Sequence, residues 1–128
     1  MNANSKIVLA VVAGVALGAA AVHGLHAQSK PKAYSVTETE VLDTSAQAAY
    51  TPVVRPVLQA AGARPVTRPG GRIVAIEGTG APKRVGILEW ESVEKAEEFY
   101  NSKAWKDLAP QRDKAVKTIR RYVVEAVN

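Results

Sequence analysis

Sixteen consecutive residues, Ile7–Val22, are drawn only from Ala, Val, Ile, Leu and Gly. A stretch with no polar side chain must leave water, so it splits the chain into two parts with different prospects. Lys6 is the only charged residue before position 28, and small residues surround Ala27. A basic start, a short apolar run and small residues describe a secretory signal cut after Ala27, although Leu25 is larger than that rule prefers. The alternatives are an uncleaved anchor formed by residues 7–22 and a buried core helix. Sixteen residues rise only about 24 Å as a helix, short for a hydrocarbon layer of roughly 30 Å. Signal and anchor both place the remainder outside the cytoplasm: periplasmic or secreted in the first case, held to the inner membrane in the second. No cysteine follows the run, which excludes a lipid-modified cysteine.

The expected organisation is therefore a leader at 1–27, a polar tether at 28–32 and a single domain at 33–127. With Lys6 set aside, 16 of the 17 Lys and Arg residues stand against all 12 Asp and Glu. The balance is too apolar for a disordered chain and too interspersed for a nucleic-acid surface. Lys83-Arg84 and Arg120-Arg121 are isolated basic pairs, without aromatic residues interleaved as on a stacking platform. Membrane contact is expected only through the leader.

Period and punctuation suggest the elements. Ala33–Leu42 is rich in Tyr, Val and Thr and reads as a strand. Asp43, Thr44 and Ser45 offer capping oxygens to a one-faced helix reaching Ala61, with Gly62 as its stop. Pro52 and Pro56 lie inside that helix and predict a kink, or a restart capped by Thr51. Arg64–Arg68 and Ile73–Glu77, separated by Pro69-Gly70-Gly71, read as a hairpin or a bulged strand. Arg84–Trp90 is a further strand, with Val85 and Ile87 on one face and Leu88 and Trp90 on the other. Ser92 caps a helix, Asn101-Ser102 permits a break, Pro110 restarts the helix, and Ile119–Val127 closes with a strand.

The order is β-α-β-β-α-β, an α+β, ferredoxin-like antiparallel sheet with helices on one face. Apolar residues of both parities within its strands predict that the other face is covered too. A second copy related by a two-fold axis is the economical cover, so a homodimer is expected.

The succession Lys32-Ala33-Tyr34, Gly62-Ala63-Arg64, Arg68-Pro69-Gly70-Gly71, Ile76-Glu77-Gly78, Glu89-Trp90-Glu91-Ser92 and Ala96 to Ser102 resembles domain of unknown function family 1330. That family is a branch of the dimeric α+β barrel superfamily, and the likeness extends through Trp105–Arg112 to Val127. The resemblance implies a ferredoxin-like dimer and no agreed activity. Relatives in the superfamily include cofactor-independent oxygenases, isomerase-like enzymes and plain small-molecule binders. Some relatives place a histidine in the barrel; here the only histidines are His23 and His26, so no such mechanism transfers.

Without cysteine, and without histidine after position 26, there is no thiol nucleophile, imidazole base, Cys/His zinc site or His or Cys ligand for haem. No metal and no cofactor are expected. Gly78-Thr79-Gly80 leads into a strand rather than a helix and so is not a phosphate loop. Glu, Arg and Tyr remain. Tyr34, Val36, Glu38 and Glu40 share one strand face, as do Arg64, Val66 and Arg68. In the site reading, Arg64 or Arg68 orients an anion, Glu38 acts as base and Tyr34 donates a hydrogen bond; Trp90 walls the pocket and Arg112 reaches its mouth. In the plainer reading, Glu38 and the arginines are structural ion pairs, Glu89 makes a salt bridge at the sheet edge, and Tyr50 and Tyr100 are core.

The expected function is thus an exported protein that binds a small anionic or carbonyl-bearing organic molecule, with room for cofactor-independent proton-transfer or oxygenation chemistry. The alternative is a non-enzymatic structural or interaction domain of the cell envelope.

Overall fold

The computed structural model describes residues 29–127. The leader, its cut after Ala27 and the first residue of the tether lie outside the described residues. The chain divides after Lys30, and Pro31–Asn128 is a unit by itself.

Nine residues of β-branched and polar character, Ala33–Val41, form β1. Asp43 then turns the chain into helix α1, Thr44–Ala60, its carboxylate accepting the Ala46 amide at 2.7 Å. Of the two expectations, a kink or a restart, the restart does not occur: α1 runs unbroken through Pro52 and Pro56, both exposed. Instead of capping a second helix, the Thr51 hydroxyl donates to the Gln47 carbonyl at 2.9 Å. Gly62, at φ 87°, makes the left-handed exit that a side chain would resist.

The expected hairpin is largely absent. Strand β2 is only Arg64–Pro65, paired with Leu88 and Glu89 of β3, Arg84–Trp90. Val66 still donates to the Ile87 carbonyl at 2.9 Å, but Ile73–Glu77 joins no strand, and Ile76 is 90% exposed. The physical reason lies in the prolines and glycines: Pro65 and Pro69 lack amide donors, while Gly70, Gly78 and Gly80 adopt positive φ.

Beyond β3, Ser92 caps α2, Val93–Asn101; Ser102 caps the short α3, Lys103–Asp107; and Pro110 starts α4, Ala109–Ala115. Strand β4, Val116–Glu125, begins three residues earlier than expected because α4 passes directly into it. The sheet order is β2-β3-β1-β4 with antiparallel neighbours and helices on one face, a ferredoxin-like α+β fold. No helix among the described residues is long and apolar enough to cross a membrane.

One irregularity sets which side chains of β4 reach the helix side of the sheet. The β1–β4 register shifts between Glu38 and Thr39, so Thr37 pairs with Arg121 while Thr39 pairs with Thr118. The extra residue turns the strand, and Val116 and Arg121 thereby share the helix side despite their odd separation.

The core lies between sheet and helices. Ala33 and Trp90 pack against Ala96 and Phe99, and Tyr50, Leu108 and Ala115 form a second cluster. Trp90 packs in a tilted pair 5.3 Å from Phe99 and edge-on 5.7 Å from Tyr100, contacts worth roughly 0.5–1.5 kcal/mol each beyond their buried area. Ser35 is fully buried beneath them and accepts from Trp90 Nε1 at 2.9 Å and from the Tyr100 hydroxyl at 3.0 Å.

Candidate functional site

A cavity of about 240 Å³ opens between the helix side of the sheet and α1, α3 and α4. Its walls include the apolar side chains of Val54, Leu58, Leu88 and Val116 and the rings of Tyr50, Tyr100 and Trp105. Four arginines also line it, Arg55, Arg84, Arg112 and Arg121, and not one Asp or Glu does. Arg55 is exposed, but Arg84, Arg112 and Arg121 are half-buried, and half-buried arginines normally meet a carboxylate, so this imbalance is the site's defining property.

Arg121 reaches the cavity from β4 because of the bulge opposite Glu38 and Thr39. Its Nε donates to Thr37 Oγ1 at 3.0 Å, and its guanidinium lies 5.0 Å from the Tyr100 ring and 4.7 Å from the Trp105 ring. Aromatic faces replace water around the cation without cancelling its charge. Burial, the largest cause, lowers the Arg121 pKa, and Arg112 adds repulsion, whereas Tyr100 and Tyr50 act in the opposite sense. A guanidinium keeps its proton at neutral pH in spite of this.

Arg112 lies 4.4 Å from the same Trp105 ring and donates to the Trp105 carbonyl at 3.3 Å. It also meets Asp113 at 3.3 Å, but Asp113 is 71% exposed and faces solvent. Arg84 enters from β3. With the Gln47 amide turned so that its oxygen faces Arg84, it accepts from both terminal nitrogens, at 2.8 and 3.0 Å. Burial pushes the Tyr50 hydroxyl up from the ordinary phenol value while Arg112 and Arg121 pull it down, and the phenol stays protonated as a donor.

The residues singled out from sequence divide between two faces. Arg112 lines the cavity. Trp90 is 1% exposed and belongs to the core behind it. Tyr34, Glu38 and Arg64 stand on the opposite face of the sheet, where Arg64 and the Tyr34 hydroxyl both bond Glu89 and Arg120 bonds Glu38 at 2.7 Å. Arg68 is exposed on the irregular segment after β2, outside the cavity lining. Glu89 does form a salt bridge, but on β3 between β2 and β1 rather than at the sheet edge, and with Arg64 and Lys32, the latter at 3.0 Å. Those contacts, Arg64 first, hold its carboxyl at about 2.

Arg84, Arg121, Gln47 and Thr37 were not among the sequence candidates. For Arg84 a signal existed: it has the parity of Leu88 and Trp90, and a charge in phase with a core face needs a reason. Arg121 had none, since the bulge inverts its parity. Among the described residues no group of three His, Cys, Asp or Glu is arranged to hold a metal ion.

Comparison with known proteins agrees with this architecture. The profile of the family described as "Domain of unknown function (DUF1330)" matches residues 32–127. A protein of unknown function from Rhodopseudomonas palustris is similar in structure, with TM-score 0.60, 17% identity, and coverage of 77% of this chain and 85% of that one. SnoaB, a cofactor-independent oxygenase from Streptomyces nogalater, is similar with TM-score 0.50 and 11% identity over 77% of this chain and 95% of its own. At these identities the likeness is one of fold. No curated protein matches the chain.

Proposed function

Since the chain belongs to the DUF1330 family, whose description names no reaction, we propose from its site that it binds a small organic anion in the cavity between sheet and helices. The observation that carries this reading is the set of four arginines on a wall that includes no carboxylate. An anion entering there gains charge-assisted hydrogen bonds in a partly dry site and relieves the repulsion between Arg112 and Arg121. A carboxylate or the enolate of a carbonyl compound fits this description, and the aromatic rings suit a flat or apolar body.

Such a pocket also stabilises negative charge that develops on a bound carbonyl, which is what proton-transfer or cofactor-independent oxygenation chemistry requires. The wall offers no carboxylate or imidazole base, and Glu38, on the far face, has no part in this proposal. Binding is therefore the function that the cavity supports best.

The outer sheet face carries Tyr122 and Val124, 45% and 47% exposed, beside half-buried Val36 and Ile87, and no element of the described chain covers it. We take a second copy as its cover, in an exported homodimer. Sedimentation at micromolar concentration checks this, and a monomer there refutes it.

For the ligand, thermal shift with benzoate and hexanoate against benzamide and hexanamide is decisive. The acids are expected to raise the unfolding midpoint with concentration, as mass action requires, and the neutral amides to leave it unchanged. Equal behaviour of acid and amide, or no shift by either acid, overturns the proposal.

A further inference from the structure

We propose that the cavity is built for a dianion: a short apolar body with an anionic group at each end, such as an α,ω-dicarboxylate. The inference rests on the anion-binding reading and adds a second pole to it.

The first pole is the pair Arg112 and Arg121, each of which lies against the Trp105 indole, at 4.4 and 4.7 Å. Thr37 occupies Nε of Arg121, and no carboxylate pairs with that guanidinium among the described residues. Two like charges beside one ring repel, and an anion drawn into their shared field relieves that repulsion.

The second pole is Arg84. Its partner, the Gln47 amide, orients the guanidinium and leaves its charge uncompensated. The register fixes how far apart the poles begin. Arg84 lies opposite Thr39 on one side of β1, and Arg121 lies opposite Thr37 on the other. Two strand spacings across and one side-chain repeat along separate their backbones by about 12 Å. The two poles thus start from opposite sides of β1, and a ligand with an anionic group at each end can meet one pole with each.

Between the poles the floor is open. Gly86 pairs with Thr37 on β3, lines the cavity, and a Cβ built on it meets nothing within 4 Å. Its backbone is not left-handed, so the residue is not required to be glycine for conformational reasons. What the missing side chain provides is space for the spacer, and Leu88 and Val116 supply apolar walls around it.

Calorimetric titration with hexanoate and adipate, two acids of equal chain length that differ by one charge, tests the inference. Adipate is expected to bind at least tenfold more tightly. In Arg84→Gln the preference is expected to fall below threefold, and Gly86→Val is expected to weaken adipate at least tenfold with an unchanged circular dichroism spectrum. Equal affinities for the two acids in the unaltered protein, or an adipate preference that survives Arg84→Gln, overturn the second pole while the anion reading stands. Failure of both acids to bind overturns that reading itself.

Discussion

The two faces of the sheet use the same residue type under opposite rules. On the outer face four cations meet acids: Arg64 and Lys32 meet Glu89, Arg120 meets Glu38, and Lys83 meets Glu40 at 3.3 Å. On the helix face Arg84, Arg112 and Arg121 meet aromatic rings, a hydroxyl, an amide and a carbonyl, and only Arg112 touches an acid, the solvent-exposed Asp113. Paired charges hold a structure together, whereas a set of compensated geometry and uncompensated charge prepares a place for an anion.

Neighbouring residues offer the sharpest way to break this contrast, because Arg120 and Arg121 point to opposite faces. Arg121→Met is expected to weaken benzoate binding roughly a hundredfold, through loss of a charge-assisted contact in a partly dry site, whereas Arg120→Met leaves that affinity within twofold. Comparable losses in both variants, measured by calorimetry, would mean that the faces are not functionally distinct.

The support behind the cavity comes next in size. Ser35→Ala removes the acceptor of Trp90 Nε1 and the Tyr100 hydroxyl and is expected to destabilise the fold by about 1–3 kcal/mol in urea titrations. A loss of that size should be accompanied by weaker benzoate binding, since Tyr100 also backs Arg121.

A smaller effect identifies the outer face. Glu89 is held at about 2, below the usual 4.5, by hydrogen bonds from Arg64, then Lys32 and Tyr34. A carboxyl lowered on folding stabilises the protein fully above about pH 4.5, and the contribution is lost as pH falls toward 2. The unaltered protein should therefore exceed Glu89→Gln in stability at pH 6, and the gap should narrow below about pH 4.5 and close as pH falls through 2; a gap independent of pH would remove the ion pairs from the account. Least of all, Asp107→Asn breaks an exposed pair with Lys103 and is expected to change stability by no more than about 0.5 kcal/mol.

Much of the fold was legible because it is written in local rules. The caps at Asp43, Ser92 and Ser102 and the strand Arg84–Trp90 follow from short-range chemistry and a two-residue period. Sequence and structure part where local and distant forces disagree. Ile73–Glu77 has the composition of a strand but no partner, and α1 keeps Pro52 and Pro56 because residues around them are held by packing: Tyr50 in the core, Val54 and Val57 against it.

For the site, the sequence alone determined which chemistry is available to the described domain. Counting residues removes thiol and imidazole and leaves Glu, Arg and Tyr, whatever the fold. Only the tertiary structure decided which of them meet. Glu38 and Arg120 became a pair on one face, and Arg84, Arg112 and Arg121 became a cluster without acids on the other. The reason is geometric: a strand's facing depends on parity, and one extra residue in β4, fixed by pairing with β1, reverses that parity where no local pattern records it.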